Sequence, residues 1–302
     1  MAIKTVQAIV NSQTVTLTLS DSGKYEGTLT APASSSFNET GGYCPVTIKA
    51  TDDAGNTATV DDTHETLGQS LRLVVKEKVA PVITITAPTD DAMLINNKPV
   101  ITWTVTDDDS GVDADTIKLQ IDDGAAITSG ITKTPTSNGY NCSYTPESAL
   151  DDGSHTIKFD ASDNDGNAAA QKSVTFKVDT VPPTLSITSP DDGLITNQES
   201  CTISGTTNDV TSSPCIVTVK LNNGAAEEVT VQSDGKFEKV VTLTEGENTI
   251  TIVSTDSAGK ASTVTRTVTL NTHAPVITNI SIVPNPVDCG KTYVISVMVE
   301  EE

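Results

Sequence analysis

Ala80-Pro81-Val82-Ile83-Thr84-Ile85 decides how the chain is organised, because it comes back. Pro182-Pro183-Thr184-Leu185-Ser186-Ile187 and Ala274-Pro275-Val276-Ile277 repeat it. Proline is tolerated at the first residue of a strand, where no ladder donor is needed. Val, Ile and Thr suit the half-buried pleated surface that follows. Each stretch therefore reads as the opening strand of a repeated unit. The step from Pro81 to Pro183 is 102 residues and from Pro183 to Pro275 it is 92, which is the length of one small β-sandwich.

Two further marks recur inside each unit. A closing hairpin reads Ile48-Lys49-Ala50-Thr51-Asp52-Asp53-Ala54-Gly55-Asn56, then Phe159-Asp160-Ala161-Ser162-Asp163-Asn164-Asp165-Gly166-Asn167, then Ile252-Val253-Ser254-Thr255-Asp256-Ser257-Ala258-Gly259-Lys260. Glycine supplies the positive φ of the turn, and aspartate bonds nearby amides. A middle turn reads Ile121-Asp122-Asp123-Gly124 and Leu221-Asn222-Asn223-Gly224, both hairpin signals. These marks place the start of the chain. Val6 to Asn11 matches Val217 to Asn222, and Gly23-Lys24-Tyr25-Glu26 matches Gly235-Lys236-Phe237-Glu238. Residues 1–78 thus enter the repeat at about its third strand. Residues 79–179 and 180–271 are complete units. Residues 272–302 hold an opening strand pair alone.

A two-stranded piece is not stable by itself in water, and a sandwich without its first strands exposes ladder edges. The two partial units are therefore expected to complete each other by strand donation. The connections Glu77 to Pro81 and Val178 to Pro183 are short and proline-stiffened, which disfavours folding back. Completion between copies is the expectation, and a head-to-tail contact that does not close gives a filament. Docking of the last residues on a different protein, or fraying, is the plain alternative.

The formal net charge is −22, with acidic residues spread along the chain. No basic stripe exists to neutralise phosphates, so nucleic acid is excluded as a partner. No window reads as an amphipathic helix, and no apolar run is long enough to span a membrane. Aromatic residues are 3%, with one Trp, which suits several small cores better than one large one. Five cysteines stand at 44, 142, 201, 215 and 289. They form no CxxC motif, so zinc is not expected. They read as small buried hydrophobes, with a Cys201–Cys215 pair as the alternative. Met1 leads straight into strand-like alternation without an apolar leader.

The proline-led strand, the Thr-Asp-x-Ala-Gly hairpin and the junction Asp179-Thr180-Val181-Pro182-Pro183 resemble tandem bacterial immunoglobulin-like (Ig-like) domains. The resemblance covers residues 79–271 and both ends in part. It implies an all-β fold of tandem Ig-like β-sandwiches in an elongated array. Such arrays occur in surface adhesins and in virion proteins of tailed phages, and the chain looks most like the second group. The expected role is structural, in a phage tail or fibre, with copies of itself and other virion proteins as partners. A cell-surface adhesion module, extracellular and binding glycan or protein through its loops, is the alternative.

Candidate chemistry is sparse. Asp107-Asp108-Asp109-Ser110-Gly111 follows the strand that carries Trp103, and Asp179 stands at a domain junction. Hard oxygen ligands at such junctions suit Ca²⁺, so Asp107, Asp109 and Asp179 are the candidate ligands. Asp-rich turns without metal are equally familiar, and Asp163 to Asn167 fails the EF-hand spacing. Trp103 reads as a core residue. His64, His155 and His273 fall in three different units, and no catalytic arrangement can be assembled from them. No enzyme activity and no other cofactor are expected. The loop 31–43 is longer than its counterparts and reads as a solvated loop or a binding loop.

Overall fold

A computed structural model describes residues 2–301; Met1 and Glu302, and with them the reading of the extreme start, lie outside the described residues. The chain is all-β and divides into two compact units. The first holds the opening residues and most of the second repeat. The second holds residues 178 onward with the short pieces Met93–Asn97 and Asp151–Gly153.

The first unit opens with a single sheet. Its order is Tyr25–Glu26, Gln13–Leu19, Ile3–Val10, Cys44–Asp52, Thr57–Val60, with Arg72–Leu73 also pairing Cys44–Asp52. Asn11 and Ser12, at φ 45° and 64°, make the two-residue turn between the first strands, a twist that matches the strands it joins. Alternation sends Val6, Ala8 and Val10 to the buried face. Val46, Ile48 and Ala50 share that face, because they lie opposite Val10, Ala8 and Val6, yet they are only half-buried.

The second repeat is a two-sheet sandwich. One sheet runs Thr132–Thr136, Gly139–Tyr144, Ile101–Thr106, Val82–Ala87. The other contains Val112–Ile121, Gly153–Asp163 and Lys172–Val178 side by side. Ile101, Trp103, Val105, Ile117, Leu119, Ile157, Phe159 and Phe176 close between them. Trp103 packs on Phe159 at 5.0 Å between ring centres, tilted 54°, so it is a core residue. Its Nε1 is buried without a partner. That costs about 1–3 kcal/mol, which burial of the large ring offsets.

The loop 31–43 is largely exposed but is anchored at two residues. Ser35 and Ser36 are buried. The Ser36 hydroxyl meets the Gly42 and Val75 carbonyls, and the Ser35 N–H donates to both oxygens of Asp109, at 3.0 and 2.8 Å. Nearby, the Glu77 N–H donates to Asp165 Oδ2 at 2.9 Å. Burial works to raise the Asp165 carboxyl, but the Ser35 hydroxyl, the Glu77 N–H and the Lys76 charge outweigh it and hold it below the usual aspartate range.

The second unit contains the third repeat. Thr184–Ser189, Ser200–Asn208 and Lys236–Thr242 form one sheet. Leu194–Thr196, Ala261–Leu270, Gly246–Thr255, Ile216–Leu221 and Glu227–Val229 form the other. Ile203, Val217, Ile250, Ile252 and Val268 are wholly buried at its centre. Asn222 at φ 51° matches Asp122 at φ 52° in the preceding repeat, as the shared turn sequence requires. After it, Val276–Val283 and Val294–Glu300 pair as an antiparallel hairpin whose residues are all exposed. Cys201 and Cys215 are buried free thiols, so the alternative of a bridge between them is not realised. Cys201 packs in the core, whereas Cys215 sits against Thr207 and Ser254. Burial pushes both thiols up.

Two outcomes follow from this packing. Gly205 approaches its neighbours so closely that a Cβ there would lie 2.3 Å from the Ser186 carbonyl oxygen and 2.8 Å from the Phe237 ring. Gly205→Val is expected to cost at least 1–3 kcal/mol by overpacking, seen as a lower urea midpoint with unchanged m. The depressed Asp165 carboxyl contributes stability that is complete above the ordinary aspartate pKa and fades as pH falls below about 4. Asp165→Asn should therefore flatten the acid limb of the stability curve of the first unit, with less change at pH 7 than the wild type shows between pH 7 and 3.

Candidate metal centres

Among the described residues, two groups of three carboxylates have ligand atoms within 4.8 Å of one another: Glu77, Asp107 and Asp163 in the first unit, and Asp179, Asp209 and Asp256 in the second. They are the same group met twice. A step of 102 residues separates Glu77 from Asp179, Asp107 from Asp209, and Pro81 from Pro183. Asp163 and Asp256 are the matching residues of the closing hairpins.

Each member is placed by local structure. Glu77 and Asp179 precede the proline-led strand by four residues. Asp107 and Asp209 directly follow the next long strand, where their carboxylates cap the turn. Asp107 Oδ1 accepts from the Gly111 N–H at 2.8 Å. Asp209 Oδ1 accepts from the Thr211 and Ser212 N–H groups at 2.8 and 2.7 Å. Asp163 and Asp256 sit at the last turn of the unit and accept from the N–H four residues on, Asn167 at 2.7 Å and Lys260 at 2.9 Å. In each case one oxygen is spent on the backbone; the second oxygen of Asp163 accepts from Asn167 Nδ2 at 2.6 Å, whereas that of Asp256 is left over.

Charge is poorly compensated in both clusters. Asp179, Asp209 and Asp256 are all buried, at 1%, 7% and 5% exposure, and none takes part in an ion pair among the described residues. Asp256 Oδ2 is buried with no hydrogen-bond partner. The Ser212 hydroxyl bridges Asp179 and Asp209. Its counterpart Ser110 donates its N–H to Glu77 at 2.7 Å, while its hydroxyl is buried and unpartnered. Three buried carboxylates at this range repel one another unless protons or a cation intervene. An all-oxygen donor set with a spare buried lone pair fits a hard divalent cation such as Ca²⁺, not zinc or copper.

The three residues singled out by sequence are distributed unequally. Asp107 and Asp179 are members, one in each cluster. Asp109 is turned away from the first cluster towards Ser35. Asp191 and Asp192 are not members, and Asp192 instead accepts from Thr267 at 2.8 and 2.9 Å. Glu77, Asp163, Asp209 and Asp256 were not singled out. The 102-residue step, applied to Asp107 and Asp179, would have found Asp209 and Glu77. His155 Nδ1 lies 2.9 Å from Asp122, and His273 Nδ1 lies 3.3 Å from Glu245. Among the described residues no helix is long and apolar enough to cross a membrane.

Comparison with known proteins agrees with this architecture. Residues 81–159 match the family described as bacterial Ig domain, and residues 183–272 match that described as glucodextranase, domain B. A stretch of 131 residues, 43% of this chain, is 30% identical to bacillopeptidase F of Bacillus subtilis (strain 168), of which it spans only 9%. Among solved structures, Sidekick-1 immunoglobulin domains 1–5 align over 99% of this chain and 60% of theirs, at 11% identity and a TM-score of 0.41. The fibronectin(III)-like modules of Clostridium thermocellum CbhA align over 63% of this chain and 94% of theirs, at 16% identity and 0.35. The tetra-tandem repeat from the extending region of a large adhesion protein aligns over 98% and 79%, at 17% and 0.35. Folds of this kind are typically non-catalytic, and they host many roles. The fold is all-β, of tandem Ig-like β-sandwiches, and residues 81–159 match a bacterial Ig domain within it.

Proposed function

We propose that the chain is a non-enzymatic structural protein whose inter-repeat linkers are stiffened by bound Ca²⁺, and that its copies join head to tail by strand complementation. The observation that carries the stiffening is the recurrence of one carboxylate cluster in two successive repeats, with a buried, unpartnered oxygen on Asp256. Glu77 and Asp179 belong to the linkers, while the other members belong to the sandwich that follows. A cation held by all three ties each linker to that sandwich and removes its freedom to swing. Ca²⁺ would supply only charge and geometry here. The residues hold one another in place through the Asx-type turns at Asp107, Asp163, Asp209 and Asp256.

The joining of copies is supported by the two single-layer pieces, the opening sheet and the exposed hairpin 276–300. A virion setting, as part of a phage tail or fibre, rests only on the resemblance to tandem bacterial Ig-like domains, which occur in such proteins. Other virion proteins are then the further partners.

Calcium titration tests the first half. With Ca²⁺ at a hundred times its Kd, about 2.7 kcal/mol of stabilisation is expected, a melting shift on the order of 10 °C for a domain of this size. Asp256→Asn removes one of three crowded charges. It should raise the stability of the second unit in chelator and lower it in calcium. A melting temperature indifferent to both calcium and chelator would sink the cation reading. Sedimentation across a concentration series tests the second half: mass should grow with concentration, and a monomer throughout would refute joining.

A further inference from the structure

One face of the exposed hairpin is apolar over three opposed pairs. Directly opposed residues of an antiparallel pair share a face. Ile277 lies opposite Val299, Ile280 opposite Val297, and Ile282 opposite Ile295. All six are β-branched and all are 41–59% exposed. The other face is mixed: Asn279, Ser281, Ser296 and Glu300 share it with Val276, Val283, Val294 and Met298. An apolar face of this size on a two-stranded piece is a core face without a second layer.

The repeat identifies that layer. The hairpin pairs Val276 with Glu300, as the earlier repeats pair Val82 with Thr106 and Thr184 with Asn208. In the third repeat the strand Ser200–Asn208 goes on to pair with Lys236–Thr242, setting Gly205 against Phe237 and Ser204 against Glu238. The counterparts of Phe237 and Glu238 in the opening sheet are Tyr25 and Glu26. These two pair only with Leu19 and Thr18. Residues 27–30, which continue the line of that strand, enter no strand pairing. The face beneath is unfinished in the same sense. Val46, Ile48 and Ala50 are half-buried, whereas their counterparts Ile250, Ile252 and Ser254 are wholly buried.

We propose that the hairpin Val276–Glu300 of one copy seats on the opening sheet of a second copy, with Val297 opposite Tyr25 and Ser296 opposite Glu26. This rests on the head-to-tail reading above and adds the receiving edge and the register. The same offset carries Glu301 to the place of Asp107 and Asp209, and Asp52 already holds the place of Asp163 and Asp256. The joint thus reproduces two of the three carboxylate places of the complete repeats, with Asn271 at the place of Glu77 and Asp179. A shift by one residue would turn the six apolar side chains to water.

Site-directed cross-linking of the full chain tests the register. Cys289 is the exposed native thiol, so all variants carry Cys289→Ser. Paired strand residues bring their Cα atoms within disulfide range, whereas a two-residue offset does not. Chains with E26C mixed with chains carrying S296C should oxidise to a covalent dimer, at least tenfold faster than T28C mixed with S296C. Equal rates for the two mixtures, or no cross-link while wild-type chains still associate in sedimentation, would overturn the register and leave joining intact. No cross-link together with monomeric wild type would overturn both. A chain carrying E26C and S296C together that closes on itself as a covalent monomer at low micromolar concentration would overturn the second copy as occupant. Val297→Asp should abolish the cross-link with the melting of the third repeat unchanged; a cross-link that survives it would also overturn the seating.

Discussion

A β-sheet with one apolar face must find a second layer, and nearly everything in this chain follows from how that requirement is met. In the second and third repeats it is met internally. Trp103, Ile101 and Val105 on one sheet close against Ile157, Phe159 and Phe176 on the other, and none is more than 1% exposed. Burial of each such side chain contributes about 1.5–3 kcal/mol, enough in sum to offset the ordering of a hundred-residue backbone by the narrow margin usual for domains. The opening sheet and the final hairpin obey the same alternation but carry it on single layers. Their apolar residues are spaced correctly and covered incompletely.

The carboxylate clusters follow from a different constraint. A sandwich must turn the chain at the end of its long strands and again at its closing hairpin, and aspartate is well suited to both turns because its side chain bonds the amides that the turn leaves free. Once one oxygen of Asp107, Asp163, Asp209 or Asp256 is committed to the backbone, the other has a fixed direction. The fold brings these turns to one end of the sandwich, beside the linker that supplies Glu77 or Asp179. Negative charge is thereby concentrated in a place with low access to water. The acidic residues are individually ordinary turn-formers, and collectively they are a cluster with a spare buried oxygen.

How much of this was legible can be judged from particular residues. The proline-led strands, the paired turns at Asp122 and Asn222, and the core role of Trp103 follow from local rules of period, turn chemistry and size, so sequence alone finds them. The loop 31–43 shows the opposite case. Its Ser-rich composition suggests solvent, yet Ser35 and Ser36 are buried and Ser35 holds Asp109. Asp109 looked as good a ligand as Asp107, two positions away. Only the direction of each side chain separates them, and direction depends on which N–H groups the fold brings near.

Period, punctuation and repeat step are properties of the chain in one dimension, so the amino-acid sequence by itself determined the all-β class, the unit length and the positions of the turns. It also determined that Asp107 and Asp209, and likewise Glu77 and Asp179, hold matching places in the repeat. Only the tertiary structure decided which carboxylates meet, because Asp163 and Asp256 lie 56 and 47 residues along the chain from Asp107 and Asp209 and reach them by pairing of distant strands. It likewise decided that the face of Ile280 and Val297 stays open to water. Alternation says which face is apolar, and only packing says whether another sheet covers it.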